Sequence, residues 1–363
     1  MMTWAALAAI ALAMGISLLA TPLSRRVAQR FGMLDVPAKH KTHARPIPLL
    51  GGSAIFAAIL GISLLALSLA SVWAVRGTPN WVPDELAVHI SGAAAKAPMA
   101  LGILAGALLL HVIGLIDDVK NLAAPVKLIG ELAVCTAVVL LCKVRILTVA
   151  GPTVSVIVSV LWLAVIINAF NFLDNMDGLS AGVAGICAAA LLAASAGMGQ
   201  VFVSAWLCLI LGALCGFLPY NFPPASTFMG DAGSLVVGYL LGVASCLTTY
   251  VQPDQPVYLY GVFVPLVLMA IPLYDSASVV LLRLRERRNP MVGDRRHFSH
   301  RLLRRGMSVR RAVLTIYLCT FATAIAASLL PHVAGPLAAA LVLVQTLAVV
   351  AIIALLEFGD GKS

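Results

Sequence analysis

Charged side chains make up only 11% of this 363-residue chain, where a soluble domain carries roughly 25%. So few charges cannot cover the water-facing surface of a protein this large. A soluble globular protein, a disordered chain and a nucleic-acid-binding domain are excluded together, and no nucleic acid is expected among the partners. No C-x-x-C occurs among the seven cysteines, which lie in or beside apolar runs and read as small buried hydrophobes. No internal repeat and no low-complexity linker interrupts the chain, so residues 1–363 read as a single transmembrane domain. No Lys or Arg precedes the first apolar run; the first is Arg25, behind it. A cleaved signal carries its positive charge in front, so residues 4–22 are expected to form a first span with the N-terminus outside.

What the chain has instead is apolar length. Hydrophobic residues reach 61%, against roughly 45–50% in ordinary domains. A span needs about 20 mostly apolar residues to cross about 30 Å of hydrocarbon. Eleven segments qualify: 4–22, 50–75, 98–116, 124–142, 154–172, 180–198, 201–219, 230–249, 257–282, 311–330 and 334–356. Very short turns between some neighbours leave the count at ten or eleven. The expected fold is an all-α, polytopic integral membrane helix bundle. Residues 76–97 are expected to be an external loop and 145–153 a short external hairpin.

Basic residues orient it. Of the 24 Lys and Arg, 20 fall on one side: in the loop 23–49, in 117–127, in 283–311 with its eleven Arg, and in the tail at Lys362. Arg76, Lys96, Lys143 and Arg145 are left for the other side. The richer side is assigned to the cytoplasm, and the C-terminus with it.

The fifteen acids then draw attention, because an acid near a membrane must face water, a partner or a function. Asp117, Asp118, Asp174, Asp177, Asp231, Asp275 and Asp294 all fall at or near cytoplasmic span ends. The adjacent pair Asp117-Asp118 repels itself unless a cation or a shared proton joins it. Mg²⁺ suits such hard oxygen ligands, and a frayed, solvated helix end explains the pair equally well when it is taken alone. Asn168, Asn171, Asp174 and Asp177 recur every three residues, which predicts one polar stripe along a helix. Gly230-Asp231-Ala232-Gly233-Ser234 opens a span; glycines admit close backbone approach and a helix N-terminus offers N–H groups to phosphate. The loop 283–311 combines Arg forks, which suit phosphate oxygens, with His297 and His300. The first loop holds Lys41, His43, Arg45, Pro46 and Pro48 ahead of Gly51-Gly52.

In this order, those blocks resemble the polyprenyl-phosphate N-acetylhexosamine-1-phosphate transferases, glycosyltransferase family 4. The blocks are Lys-x-His-x-x-Pro-x-Pro-x-x-Gly-Gly (41–52), Asp-Asp with Lys127 nine residues later, Asn-x-x-Asn-x-x-Asp-x-x-Asp-Gly-Leu (168–179), Gly-Asp-x-Gly-Ser (230–234), and the His-bearing basic loop preceded by Pro272-x-x-Asp275. The Pro-x-Pro form looks like the branch that uses UDP-N-acetylglucosamine or a related UDP-HexNAc. Two positions depart from the family pattern: Asn175 stands where the family usually has Gly, and Ser299 where many relatives have a second His.

The resemblance implies transfer of a HexNAc-1-phosphate, most simply GlcNAc-1-phosphate, from a UDP-sugar to polyprenyl (undecaprenyl) phosphate with release of UMP, as an initiating step of cell-envelope glycan synthesis. It implies a Mg²⁺ (or Mn²⁺) ion held by Asp231, Asp177 and Asp118, with Asp117, Asp118 and Asp231 catalytic. Lys41, His43, Lys127, Asn168, Asn171, Asp174, Asp177, His297, His300 and Arg301 are the implied substrate contacts. The active-site loops are then 23–49, 117–127, 172–180, 219–230 and 283–311, facing the cytoplasm from the inner (plasma) membrane. The lipid tail is expected along a span near 257–282, bent by Pro265 and Pro272. The oligomeric state stays open, a homodimer included. The rival reading is a secondary transporter with acids as coupling sites, but transporters place such groups near the midplane and often carry inverted repeats.

Overall fold

The computed structural model describes residues 3–36, 45–250, 259–287, 297–333 and 335–358. The helices are α1 (Thr3–Arg30), α2 (Gly51–Arg76), α3 (Asp84–Ala95), α4 (Ala97–Lys120), α5 (Ala124–Leu141), α6 (Pro152–Leu173), α7 (Leu179–Gly197), α8 (Val201–Asn221), α9 (Asp231–Leu247), α10 (Val264–Leu268), α11 (Ala270–Arg285), α12 (Phe298–Arg304), α13 (Val309–Leu329) and α14 (Pro336–Phe358). The sheet found among the described residues is a two-residue antiparallel ladder, β1 (Leu34–Asp35) with β2 (Ile47–Pro48). Helices dominate because hydrocarbon offers no water to a free N–H or C=O, so each spanning segment must satisfy its own backbone.

Each of the eleven expected spans is helical over most of its described residues. Nine helices among the described residues are long and apolar enough to cross a membrane. A tenth is the broken pair α10–α11, bent by 65°. The eleventh, α9, is a shorter apolar helix. The single span expected at 257–282 is therefore two helices. Pro265 and Pro272 both fall in the first turn of a helix, where a missing N–H costs nothing, so the chain breaks between them at Met269. The expected loop 76–97 contains α3, with Asp84 and Glu85 in its positive first turn and Ile90 packed beside Val82 and Ala70. In place of a hairpin at 145–153 there is one 3₁₀ turn, Thr148–Ala150.

The core centres on α9. Every residue from Ala232 to Ser245 is buried, enclosed chiefly by α6, α4 and α2. Small residues let the backbones come close, since lipid supplies no hydrophobic drive between helices. A Cβ on Gly233 would lie 2.5 Å from the Gly52 Cα, and a Cβ on Gly114 of α4 would lie 2.5 Å from Ala232 Cα. The outer helices differ: α1 and α14 expose Leu7, Leu19, Leu337 and Leu355, as lipid-facing helices do.

Candidate active site

The C-terminal end of α4, the N-terminal end of α5, the C-terminal end of α6 and the N-terminal end of α9 meet at one end of the bundle. Each terminus has a local cause. Asn121, in the left-handed region at φ 48°, closes α4, while Asp117 Oδ1 accepts from the Leu122 N–H at 2.7 Å. Pro125 opens α5. Gly230, at φ +69°, delivers the chain into α9. A Cβ there would lie 2.7 Å from both Asp118 Oδ2 and the Leu49 carbonyl, so only glycine fits.

Two acids neighbouring in sequence do different work. Asp118 caps α9 from another helix: Oδ1 accepts from the Asp231 N–H at 2.8 Å and Oδ2 from the Ala232 N–H at 3.2 Å. Those are helix donors that no intrahelical carbonyl can satisfy. Asp117 instead pairs with Lys127, whose Nζ lies 2.8 Å from Asp117 Oδ2 and 2.5 Å from Asp231 Oδ2. The same ammonium donates to Asn171 Oδ1 at 3.1 Å, which uses all three of its protons. Asn171 Nδ2 donates onward to Asp231 Oδ1 and Ser234 Oγ, each at 2.9 Å. Asp117, Lys127, Asn171, Asp231 and Ser234 thus form one network, tied to Asp118 through the backbone of Asp231.

The predicted polar stripe is broken, because α6 ends at Leu173 and puts Asp174 at its C-cap and Asp177 in the following turn. Asn171 reaches the network from the helix. Asn168 does not: it faces the fully buried Glu131 and donates to Oε2 at 2.5 Å. Asp177 accepts the Ala225 N–H at 2.9 Å and so ties the α6–α7 turn to the α8–α9 loop. Burial, followed by the nearness of Asp231, Asp118 and Asp177, pushes the Asp174 carboxyl well above the usual carboxylate range.

A second polar group flanks this network. Asp275, buried on α11, accepts from His297 Nδ1 at 2.8 Å and from the Phe298 N–H at 3.0 Å, which leaves Nε2 as the ring nitrogen of His297 without a partner among the described residues. His297 stands edge-on to Phe172, and the Arg283 guanidinium lies 5.7 Å from the same ring. Arg301 is turned elsewhere: its Nε and Nη2 each lie 2.9 Å from Glu357 Oε2, and Nη2 also donates to Ser278. Glu357 further accepts from the Tyr274 hydroxyl. Arg301, expected as a phosphate contact, forms a buried pair that joins α12 to α14. His300 follows on α12, half-buried. The two departures from the family pattern meet directly, for the Ser299 hydroxyl donates to Asn175 Oδ1 at 2.6 Å. Lys41 and His43, like Asp294, lie outside the described residues.

The sequence reading missed His111, Ser53 and Glu357. His111, Gly114 and Asp118 recur at helical spacing on one face of α4, a signal present in the sequence but carried by a lone histidine in an apolar run. Nothing local marks Glu357, whose partners lie 56 and 83 residues away.

Among the described residues no three His, Cys, Asp or Glu side chains converge on one point as a ready metal cage. The donor chemistry nonetheless fits a hard divalent ion. Asp117 and Asp231 meet at one ammonium and Asp118 binds the backbone of Asp231, while Asp174, whose carboxyl is raised first by burial and then by the nearness of Asp231, Asp118 and Asp177, adds a further hard oxygen donor at this end.

Residues 100–249, which contain this whole network, match the model of glycosyl transferase family 4. The chain is 31% identical over 323 residues to a probable undecaprenyl-phosphate N-acetylglucosaminyl 1-phosphate transferase of Bacillus subtilis, covering 86% of this chain and 81% of that one. It is 35% identical over 330 residues to the decaprenyl-phosphate N-acetylglucosaminephosphotransferase of Mycolicibacterium smegmatis, covering 84% and 76%. The undecaprenyl-phosphate alpha-N-acetylglucosaminyl 1-phosphate transferase of Escherichia coli K12 is 27% identical over 326 residues, covering 84% and 78%. With its spans, its acid-lined helix ends and relatives matched along most of their length, the chain belongs to glycosyltransferase family 4, the polyprenyl-phosphate N-acetylhexosamine-1-phosphate transferases.

Proposed function

We propose that this membrane protein transfers an N-acetylhexosamine-1-phosphate, GlcNAc-1-phosphate first among the candidates, from its UDP-sugar to a polyprenyl phosphate at the cytoplasmic side of the inner membrane. The observation that carries the reading is the joining of Asp117, Asp118, Lys127, Asn171 and Asp231 from four helix ends on one face of the bundle. The names of the relatives point the same way. Most of the Lys and Arg fall in loops assigned to that face, which supports the cytoplasmic orientation.

In the reaction an oxygen of the lipid phosphate forms a bond to the sugar-bearing phosphorus. The bond from that phosphorus to the oxygen of UMP breaks, and the electron pair leaves with UMP. A phosphate monoester with a second pKa near about 6 is mostly ionised at neutral pH, so the acceptor needs little help from a base. The work left to the protein is charge neutralisation and alignment. Asp118 fixes the start of α9 and so the place of Asp231. Lys127 brings positive charge between Asp117 and Asp231 and offsets their negative charge near the anionic substrates. His297, held by Asp275, keeps Nε2 for a phosphate, and His300 follows one helical turn later on α12. Asp231, with Asp118 and Asp177, would hold a Mg²⁺ or Mn²⁺ ion, which when bound supplies neutralisation of the pyrophosphate charge. The lipid tail would follow α11, beyond the 65° break.

The test is UMP release by detergent-purified protein from a panel of UDP-HexNAc donors, with and without undecaprenyl phosphate and Mg²⁺. Release is expected to require donor, lipid and metal together. Release from no donor, or release independent of the lipid, overturns the proposal.

A further inference from the structure

We propose that His111 is a positioning residue for Asp231, acting through the peptide of Ala232. His111 lies on α4 seven residues before Asp118, two helical turns along the same face. It is 8% exposed. Its Nδ1 lies 2.9 Å from the Ala232 carbonyl oxygen. A carbonyl can only accept, so Nδ1 carries the hydrogen and donates. Nε2 is then the acceptor nitrogen, and the Ser53 hydroxyl stands 3.3 Å from it. The ring also packs on Phe56, centroids 4.9 Å apart. Ser53 and Phe56 both belong to α2, so one imidazole joins α2, α4 and α9.

Ala232 immediately follows Asp231. Its N–H donates to Asp118 Oδ2 and its C=O accepts from His111, so α4 grips both polar groups of this residue from two points on one face. Between those points Gly114 removes the side chain that would separate the two backbones. The packing of α9 against α2, α4 and α6 holds the helix as a whole; Asp118 and His111 together fix the peptide of Ala232, and with it the angle at which Asp231 leaves the backbone. The Asp231 carboxylate, which must meet Lys127 and Asn171 together, depends on that angle.

This inference rests on the role proposed for Asp231, and two readouts keep the two claims separable. His111→Phe keeps a ring against Phe56 and deletes the donor. His111→Asn places an amide N–H near the Nδ1 position. Hydrogen exchange over residues 230–236 is expected to quicken in His111→Phe and to stay near wild type in His111→Asn. Turnover is expected to fall about 10- to 100-fold in His111→Phe, the usual cost of losing an outer-shell partner. Its KM for the UDP-sugar should hardly move, and His111→Asn should recover most of kcat. Ser53→Ala, which frees only Nε2, should shift exchange the same way by less. Unchanged exchange in both His111→Phe and Ser53→Ala overturns the inference, as does a His111→Asn variant as impaired as His111→Phe. A wild-type protein without transferase activity would instead count against the proposed function, while the exchange readout still decides the role of His111.

Discussion

Substituting Gly114 by Ala inserts one methyl group where α4 and α9 touch. The new Cβ would stand 2.5 Å from both Ala232 Cα and the Asp231 carbonyl carbon. Ordinary contact begins near 3.4 Å, so the helices must part by roughly 1 Å, and backbone atoms cannot swing aside as a side chain could. Overpacking of this kind costs about 1–3 kcal/mol. The larger effect is on alignment. Asp117 and Asp118 ride on α4 and Asp231 on α9, so the displacement falls directly across the network, and a misplacement of about 1 Å can cost about 10²-fold in rate. Two assays follow the change: UMP release under saturating UDP-GlcNAc and undecaprenyl phosphate, and thermal unfolding in detergent. The control is Gly61→Ala on α2, where a Cβ meets nothing within 4 Å and helix propensity improves by about 0.5–1 kcal/mol. Gly114→Ala should lose about two orders of magnitude in turnover, with Gly61→Ala at wild-type activity. A Gly114→Ala protein with wild-type turnover and melting temperature would refute the close packing of the two helix ends and the alignment drawn from it.

Asp231→Asn should abolish turnover while the protein still melts cooperatively, since the amide keeps the shape but loses the charge that Lys127 faces; full activity would remove Asp231 from the chemistry. His300→Ala should lower turnover more than Arg304→Ala, because Arg304 is exposed; equal losses would reduce the loop to diffuse charge. Breaking the buried pair with Arg301→Ala should destabilise the fold by about 3–5 kcal/mol, whereas Arg301→Met with Glu357→Leu should cost far less; a denaturation cycle showing additive losses would contradict a coupled pair. Glu131 is fully buried, and its Oε1 has no hydrogen-bond partner among the described residues. Glu131→Gln should therefore leave stability unchanged or raised, with turnover intact; a tenfold loss of turnover would bring Glu131 into the mechanism.

Much of the bundle was legible because hydrophobic length is a local property. Each apolar run that could span a membrane became a helix, and residues 257–282 were misjudged only where two prolines divided the run. Asp117, Asp118 and Asp231 were also legible, because acids at the ends of apolar helices need a reason to be there. Asn168 was misread for the opposite cause. Its three-residue spacing with Asn171 is real, but the helix turns Asn168 toward Glu131 and stops before Asp174 can continue the stripe. That Arg301 pairs with Glu357 of α14 had no local signal either.

By itself, then, the amino-acid order determined that this chain is a polytopic bundle of apolar helices and which helix ends carry its acids, for these follow from apolar length and charge, which each segment carries independently of its neighbours. Only the tertiary structure decided that Asp118 caps a helix while Asp117 holds a lysine, that Asn175 and Ser299 bond to each other, and that His111 reaches Ala232. Those assignments depend on which backbones approach within a few ångströms, and for all but the Asp117–Lys127 pair that is set by packing between segments more than a hundred residues apart.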